Sequence, residues 1–333
     1  MKIPAHFASA SLLLAVGCGP DAGMIDPPTR GEGTEPSLAA QRFSDWLPPV
    51  NLGTTVNSPS VENAPELSKD GLSLYFGSNR PAKPGEPPVQ GLQDLYVSQR
   101  SSLDAPWGAP INLGALINSR FTDVGPHLSR DGHLLFFNSG RPGGSGSTDV
   151  WVSRRANIHD DLAWEEPINL GSPPNSDRFD GAVSIWGSEF YLWRGTPDPA
   201  GAVAPTDGDI YMSEMTGQTF GEPMLVTELS SATAHEQRPS VRFDGREIFL
   251  SSDRAGSMSL PGGVVREDIW VSLRQGNGRP WESPVNVGPV VNSIFRDTQP
   301  ALSEDGTMLF FLSDRQGPPG NLDIYVTTRR LGE

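Results

Sequence analysis

Five acidic residues recur at one position of a repeated sequence pattern, each three residues before a proline or the residue that replaces it. They are Glu62, Asp123, Asp180, Glu236 and Asp297. Carboxylate oxygens are the ligands that hard cations prefer, and a pair of carboxylates in different environments can perform acid and base catalysis. The sequence therefore offers these five side chains as a ligand or cation site. It assigns no catalytic residue, because nothing distinguishes two of the five as a pair.

The same carboxylates have a structural interpretation. Each could cap backbone N–H groups or pair with an arginine close to it in the sequence, and the nearby arginines are Arg120, Arg178, Arg238 and Arg296. Fivefold regularity favours a role in maintaining the fold, since a catalytic acid and base need two differently tuned environments.

The elements that position these residues belong to a long internal repeat. Its aromatic anchors, Trp46, Trp107, Trp164, Phe220 and Trp281, lie 61, 57, 56 and 61 residues apart. Each unit contains four short strand patterns, W..P.NLG, P.LS, L.F.S and D[IVL][YW]VS, and Asp-Gly pairs typical of hairpin turns follow P.LS in four units. Four strands per unit at this period indicate a β-propeller blade. We therefore predict an all-β, five-bladed β-propeller with four strands per blade.

The order of the segments predicts how the ring closes. The repeats start on a W..P.NLG strand at residues 46–53, and the last unit ends after its third strand, at residues 323–327. Pairing these two segments would complete the last blade with an N-terminal strand. A ring closed in this way leaves no long sheet edge that invites aggregation.

The repeated pattern P.LS.DG…L.F.S.R…DIYVS resembles the WD-repeat-like β-propeller repeat of TolB and related periplasmic and surface proteins. The resemblance covers about residues 43–333, and the third unit departs from it at residues 183–186 and 192–194. It implies a scaffold that binds partners, with no catalysis and no cofactor of its own. Five-bladed propellers also host furanosidases, so the alternative is a glycoside hydrolase that uses two carboxylates at the channel mouth.

Three further sets of residues need an explanation. The extra aromatics of the third unit, Trp186, Tyr191 and Trp193, could stack on a ligand, or they could pack between blades. The recurring Asn-Ser pairs at 57–58, 118–119, 175–176 and 292–293 are typical of turns that hydrogen-bond their own backbone. An ion pair inside each blade is expected between Arg80, Arg141, Arg254 or Arg315 and the aspartate that follows the next loop, Asp94, Asp149, Asp268 or Asp323.

The N-terminal segment has the features of a lipoprotein signal. Lys2 precedes a short apolar core at residues 12–16, and small residues lead to Cys18, the only cysteine in the chain. We predict a signal peptide at 1–17, lipidation of Cys18, a flexible tether at 18–42 and a propeller domain at 43–333. The protein would then be anchored to a bacterial membrane, with the outer membrane favoured, and would face the periplasm or the cell surface.

Composition limits the partners. Gly and Pro number 37 and 32 of 333 residues, which suits many short strands joined by turns. The formal charge of −15 excludes a nucleic-acid-binding role, because neutralising phosphates needs clustered Lys and Arg. We expect a monomer that contacts the membrane only through its lipid anchor. Its expected partner is an envelope protein or a glycan, bound at the channel mouth and the blade loops.

Overall fold

Five small antiparallel sheets form a five-bladed β-propeller, which confirms the predicted fold class. The computed structural model describes residues 43–332 except 82–92, 197–206, 218, 260–262, 264, 277 and 316–321. The predicted signal peptide, Cys18 and the tether lie outside the described residues. Within the described ranges, no helix has the length and apolar character needed to cross a membrane.

The strands follow one another from the inside of each blade outwards. The first strand of the described residues is β1 (Val50–Asn51), which lies before blade one in the sequence. Blade one contains β2 (Glu62–Leu67), β3 (Ser73–Ser78), β4 (Asp94–Gln99) and β5 (Ile111–Asn112). Blade two contains β6 (Asp123–Leu128), β7 (Leu134–Ser139), β8 (Asp149–Arg154) and β9 (Ile168–Asn169). Blade four contains β15 (Glu236–Val241), β16 (Glu247–Ser252), β17 (Asp268–Leu273) and β18 (Val285–Asn286), and blade five contains β19 (Asp297–Leu302), β20 (Met308–Ser313) and β21 (Asp323–Thr328).

Blade three differs from the other four in its outer edge. Its strands are β10 (Phe179–Trp186), β11 (Glu189–Gly195), β12 (Asp209–Thr216), β13 (Thr219–Phe220) and β14 (Met224–Leu225). Both β13 and β14 pair with β12, so two short strands replace the single fourth strand of the other blades. The inner hairpin turns at Gly187, whose φ of 59° lies in the left-handed region that favours glycine.

The predicted closure of the ring is confirmed. Strand β1 pairs antiparallel with β21, with Val50 opposite Val326 and Asn51 opposite Tyr325. The Asn51 side chain also donates a 2.9 Å hydrogen bond to Asp323. The N-terminal segment therefore supplies the fourth strand of blade five.

Each anchor tryptophan packs against the guanidinium group of an arginine that follows the third strand of the same blade. Four guanidinium groups lie 4.2 to 4.4 Å from an indole centroid, in the pairs Arg100–Trp107, Arg155–Trp164, Arg274–Trp281 and Arg329–Trp46. Three of these arginines also reach a carboxylate, in the pairs Arg155–Asp161, Arg274–Glu189 and Arg329–Glu247. Glu189 and Glu247 begin the second strand of the preceding blade, so the arginines Arg274 and Arg329 tie neighbouring blades together.

Candidate functional site

The five inner carboxylates lie at the start of the inner strands and are completely buried. Glu62, Asp123, Asp180, Glu236 and Asp297 are each 0% exposed. Each forms an ion pair with an arginine of its own blade, in the pairs Glu62–Arg80, Asp123–Arg141, Asp180–Arg194, Glu236–Arg254 and Asp297–Arg315. The carboxylates also cap backbone N–H groups: Asp123 accepts hydrogen bonds from the Ser119 amide and hydroxyl, at 2.6 and 2.8 Å.

The arginine partners differ from those that the sequence predicted. The carboxylates do not use the arginines nearest in sequence, since Arg238 donates to Asn63 and Arg296 pairs with Glu267. The expected pairs between Arg80, Arg141, Arg254 or Arg315 and the third-strand aspartates are wrong. The reason is the hairpin register: Asp123 lies opposite Ser139, which places Arg141 beside it.

Three of the four third-strand aspartates take asparagine partners instead, and Asp149 accepts from the backbone amides of Ser145 and Gly146. Asn112 donates to Asp94 at 2.8 Å, Asn286 to Asp268 at 2.7 Å and Asn51 to Asp323 at 2.9 Å. Burial raises the pKa of the Asp268 carboxyl to about 6, and the nearby charge of Asp297 acts in the same direction. Among the described residues, no group of three or more His, Cys, Asp or Glu side chains is arranged to hold a metal ion.

The Asn-Ser pairs join neighbouring blades rather than only shaping a turn. The Asn118 side chain accepts from the Leu95 amide at 2.8 Å and donates to the Leu95 carbonyl at 3.0 Å, so it extends the third strand of blade one. Equivalent paired bonds join Asn57 to Ile324, Asn175 to Val150 and Asn292 to Ile269. The serines do form the predicted hydrogen bonds to the backbone of their own turn. The Ser119 hydroxyl, for example, accepts from the amide of Phe121.

The blade-three aromatics separate into two groups. Tyr191 and Trp193 are 2% and 1% exposed and pack in the core, which is the alternative that the sequence left open. Trp186 lines the cavity on the propeller axis that is described next, and its indole N–H donates to the Phe243 carbonyl at 2.8 Å. Of the three aromatic residues, only Trp186 is placed to contact a ligand in that cavity.

A cavity of about 340 Å³ lies on the propeller axis, on the face that carries the Asp-Gly turns. We call it the axial cavity. It is lined by the second halves of the five inner strands and by the turns that follow them. The five buried carboxylates are at the other ends of these strands and do not line it.

The floor of the axial cavity is a ring of five equivalent residues, one from each inner strand. They are Ala64, Gly125, Ala182, Arg238 and Gln299. Each lies at a β-bulge, where the pairing with the second strand shifts register. Each has a positive φ, between 47° and 68°, although four of them carry a side chain. Such backbone strain is costly for residues other than glycine and clusters where a fold serves function.

Two long side chains of the floor ring cross towards other blades. Arg238 donates from Nη2 to Asn63 Oδ1 at 3.0 Å, and Gln299 accepts from the Ala64 amide at 2.7 Å. A Cβ at position 125 would lie 2.8 Å from Arg238 Nη1 and 2.9 Å from Asn138 Oδ1, so Gly125 leaves room for the guanidinium to pass. The copies of the repeat therefore differ at this ring, with three small residues and two long polar ones.

The mouth of the axial cavity is mixed in charge. The residue before each Asp-Gly turn varies from blade to blade as Lys69, Arg130, Phe243 and Glu304. Arg130 pairs with Glu304 at 2.9 Å. Deeper in, His127 donates from Nδ1 to Glu66 at 3.0 Å, because its Nε2 accepts from the Ile185 amide at 3.2 Å.

These floor and mouth residues were missed as a site by the sequence analysis. A comparison of the five copies column by column would have found them. The column before the proline reads Ala64, Gly125, Ala182, Arg238 and Gln299. Side chains that vary inside an otherwise regular repeat are a signal for binding rather than for fold maintenance.

No protein-family model matches the chain, and no curated protein sequence matches it. Solved structures do. A GH62 α-L-arabinofuranosidase catalytic domain from Coprinopsis cinerea is 14% identical, with a TM-score of 0.52, over 86% of this chain and 96% of that one. An α-L-arabinofuranosidase from Podospora anserina, in complex with cellotriose, is 11% identical, with a TM-score of 0.51, over 86% and 97%.

A structure assigned as TolB from Agrobacterium tumefaciens is 15% identical, with a TM-score of 0.47, over 88% of this chain and 99% of that one. At these identities, the likeness to the two arabinofuranosidases shows the fold alone. The chain has a β-propeller fold, and the two arabinofuranosidases share it.

Proposed function

We propose that this protein is a cell-envelope binding scaffold, which holds a protein or glycan partner at the axial cavity and performs no catalysis of its own. One observation carries the proposal. The five carboxylates from which a hydrolase could draw its catalytic pair are each 0% exposed and held by an arginine, whereas the axial cavity is open and lined by residues that vary between blades. Its volume of about 340 Å³ is in the range of ligand pockets, roughly 300–1,000 Å³.

The alternative, a glycoside hydrolase, has less support. Such enzymes need two carboxyl groups that flank the scissile bond and reach the substrate. Within the axial cavity the carboxylates are Glu66, which accepts from His127, and Glu304, which pairs with Arg130. The likeness to arabinofuranosidases concerns the fold, and fold alone does not carry an activity from one protein to another.

The envelope location rests on the sequence. The apolar segment at 12–16 and the single Cys18 support lipidation and anchoring to a bacterial membrane, with the outer membrane favoured. A tether at 18–42 would let the propeller reach partners near the membrane surface. Metabolic labelling with a fatty-acid analogue tests this: label on the wild type and none on Cys18→Ser is expected, and equal labelling would contradict it.

Site-specific photo-crosslinking in the native envelope tests the binding role. A photoreactive residue at position 69, at the mouth of the axial cavity, should crosslink to a discrete partner. The matched control is position 111, which is exposed on the outer strand of the same blade. A crosslink from 69 that is absent from 111 supports the proposal, and crosslinks from 111 alone would place the partner elsewhere and contradict it.

A further inference from the structure

Arg238 differs from the other deeply buried arginines of the propeller. Its side chain is 8% exposed, and Nη2 donates to Asn63. Among the described residues, its Nε atom has no hydrogen-bond partner and no carboxylate forms an ion pair with its guanidinium. Four other arginines are buried to a similar degree, and each forms an ion pair with a carboxylate, in the pairs Arg155–Asp161, Arg242–Glu247, Arg274–Glu189 and Arg329–Glu247.

An unpaired buried charge is unfavourable, and a protein retains one where it has a use. Burial lowers the pKa of Arg238 to about 9. The guanidinium therefore still carries its charge at neutral pH. The chain as a whole has a formal charge of −15, so a lone cation at the floor of a cavity stands out against the surrounding acidic surface.

We propose that Arg238 is the receptor for a carboxylate group of a ligand that occupies the axial cavity. Arg238 belongs to the floor ring and lines the cavity. Nη2 uses one N–H on Asn63, and among the described residues Nη1 has no hydrogen-bond partner, so Nη1 and the second N–H of Nη2 form a planar fork that matches a carboxylate. The inference rests on the proposed binding function, because it uses the same cavity, and it names the chemical group that the cavity recognises.

The surroundings favour a carboxylate over a phosphate. Arg238 is the only cation in the described floor ring, and one guanidinium balances a monoanion better than a dianion. The other cations of the lining are peripheral: Lys69 is exposed, and Arg130 is 65% exposed and paired with Glu304. Four prolines and Trp186 line the walls. The expected ligand is thus a small acid with an apolar body, free or as part of a larger partner.

Calorimetric titration of the full chain tests the proposal with matched probes. The monocarboxylates benzoate, hexanoate and phenylacetate are compared with benzamide, which keeps the shape of benzoate without its charge, and with inorganic phosphate. We expect saturable binding of at least one carboxylate, with benzamide and phosphate at least tenfold weaker. The proposal is overturned if none of the three carboxylates binds saturably, if benzamide binds as tightly as benzoate, or if phosphate binds most tightly.

Variants locate the binding. Arg238→Gln should weaken carboxylate binding at least tenfold, and Arg238→Lys, which keeps the charge without the fork, should weaken it less. Arg154→Gln, which removes an exposed cation at the end of β8, outside the axial cavity, should leave binding unchanged. Binding that survives Arg238→Gln intact, or is lost in Arg154→Gln, would place the anion elsewhere and contradict the assignment.

Thermal unfolding separates this role from a structural one. If Arg238 serves a ligand, Arg238→Gln without ligand should melt at the same or a higher temperature than the wild type, since an unpaired buried charge is removed. A lower melting temperature, with no carboxylate-dependent rise in the wild type, would make Arg238 a structural residue. In that case a crosslink from position 69 would still support the binding scaffold, so the two proposals fail independently.

Discussion

The Arg141 guanidinium lies 2.6 Å from the Asp123 carboxylate, and both belong to the inner hairpin of blade two. Asp123 is the first residue of the inner strand, and Arg141 follows the second strand. The same guanidinium also donates to the Ile117 carbonyl in the turn before the blade. An equivalent pair occurs in every blade. We therefore interpret the inner carboxylates as structural residues that stabilise each blade, and not as catalytic residues.

Breaking one of these pairs should destabilise the fold. Asp123→Asn leaves the half-buried Arg141 charge without its fully buried carboxylate partner, and we expect a loss of about 3 kcal/mol in the free energy of unfolding. Urea denaturation measures it. The control is Asp177→Asn, an exposed aspartate near blade three, which should change stability by about 0.5 kcal/mol or less. Equal stability of the two variants would show that the pair does not fasten the blade.

Removing the N-terminal strand should weaken the ring. Deletion of residues 46–53 removes β1 and Trp46, whose ring packs edge-on against Phe249 at 6.0 Å and lies 4.3 Å from the Arg329 guanidinium. We expect a marked fall in melting temperature, because the third strand of blade five becomes an unpaired edge. Leu47→Ala, at an exposed position in the same segment, is the control and should melt nearly as the wild type does. An unchanged melting curve for the deletion would refute the closure.

The asparagine links between blades should have a measurable effect. Asn118→Ala removes both hydrogen bonds to the Leu95 backbone and leaves a buried amide and carbonyl without partners. A loss of about 2–4 kcal/mol in unfolding free energy is expected. The control is Asn157→Ala, which removes one exposed hydrogen bond. It should lower the free energy of unfolding by only about 0.5 kcal/mol or less. Similar losses for both variants would mean that the Asn118 link contributes no more than a surface turn.

The Asp268 carboxyl should make stability depend on pH. Its folded pKa of about 6 lies above the ordinary value of 3.8, so the folded state binds more protons between these values and loses stability as the pH rises through them. Asp268→Asn keeps an acceptor for the Met258 and Asn286 donors and removes the charge.

The two proteins should therefore be similarly stable near pH 4, and Asp268→Asn should be more stable at pH 7. The expected difference is about 1 kcal/mol after allowance for solvent screening. Melting curves from pH 4 to 7 measure it, with Asp177→Asn as a control whose difference from the wild type stays flat. If the melting temperature of the wild type instead rises relative to that of Asp268→Asn as the pH rises, the site stabilises the ionised carboxylate, and the prediction is wrong.

Much of the fold could be predicted from the sequence, because the repeat constrains it strongly. The spacing of the anchors from Trp46 to Trp281 indicates the number of blades, and the order of the segments indicates the closure. The arginine partners could not be assigned from sequence distance alone. Arg141 is 18 residues from Asp123 along the chain, and only the hairpin register brings the two side chains together.

The floor ring was harder to predict. A β-bulge with positive φ turns one residue of each inner strand, such as Arg238, out of the regular alternation. Strand periodicity therefore gives no indication of where that side chain lies. That no carboxylate of the described residues pairs with Arg238 is also a property of the folded ring, since its neighbours Asn63 and Gly125 come from other blades.

A hydrolysis assay is the most direct test that the carboxylates fasten the ring and that the protein binds without catalysis. The full chain is incubated with arabinan, fructan and sialoside substrates, alongside Asp123→Asn and a heat-denatured control. We expect no turnover above the control for either protein. Turnover by the wild type that Asp123→Asn abolishes, while its melting temperature stays unchanged, would contradict this account and make the inner carboxylates catalytic.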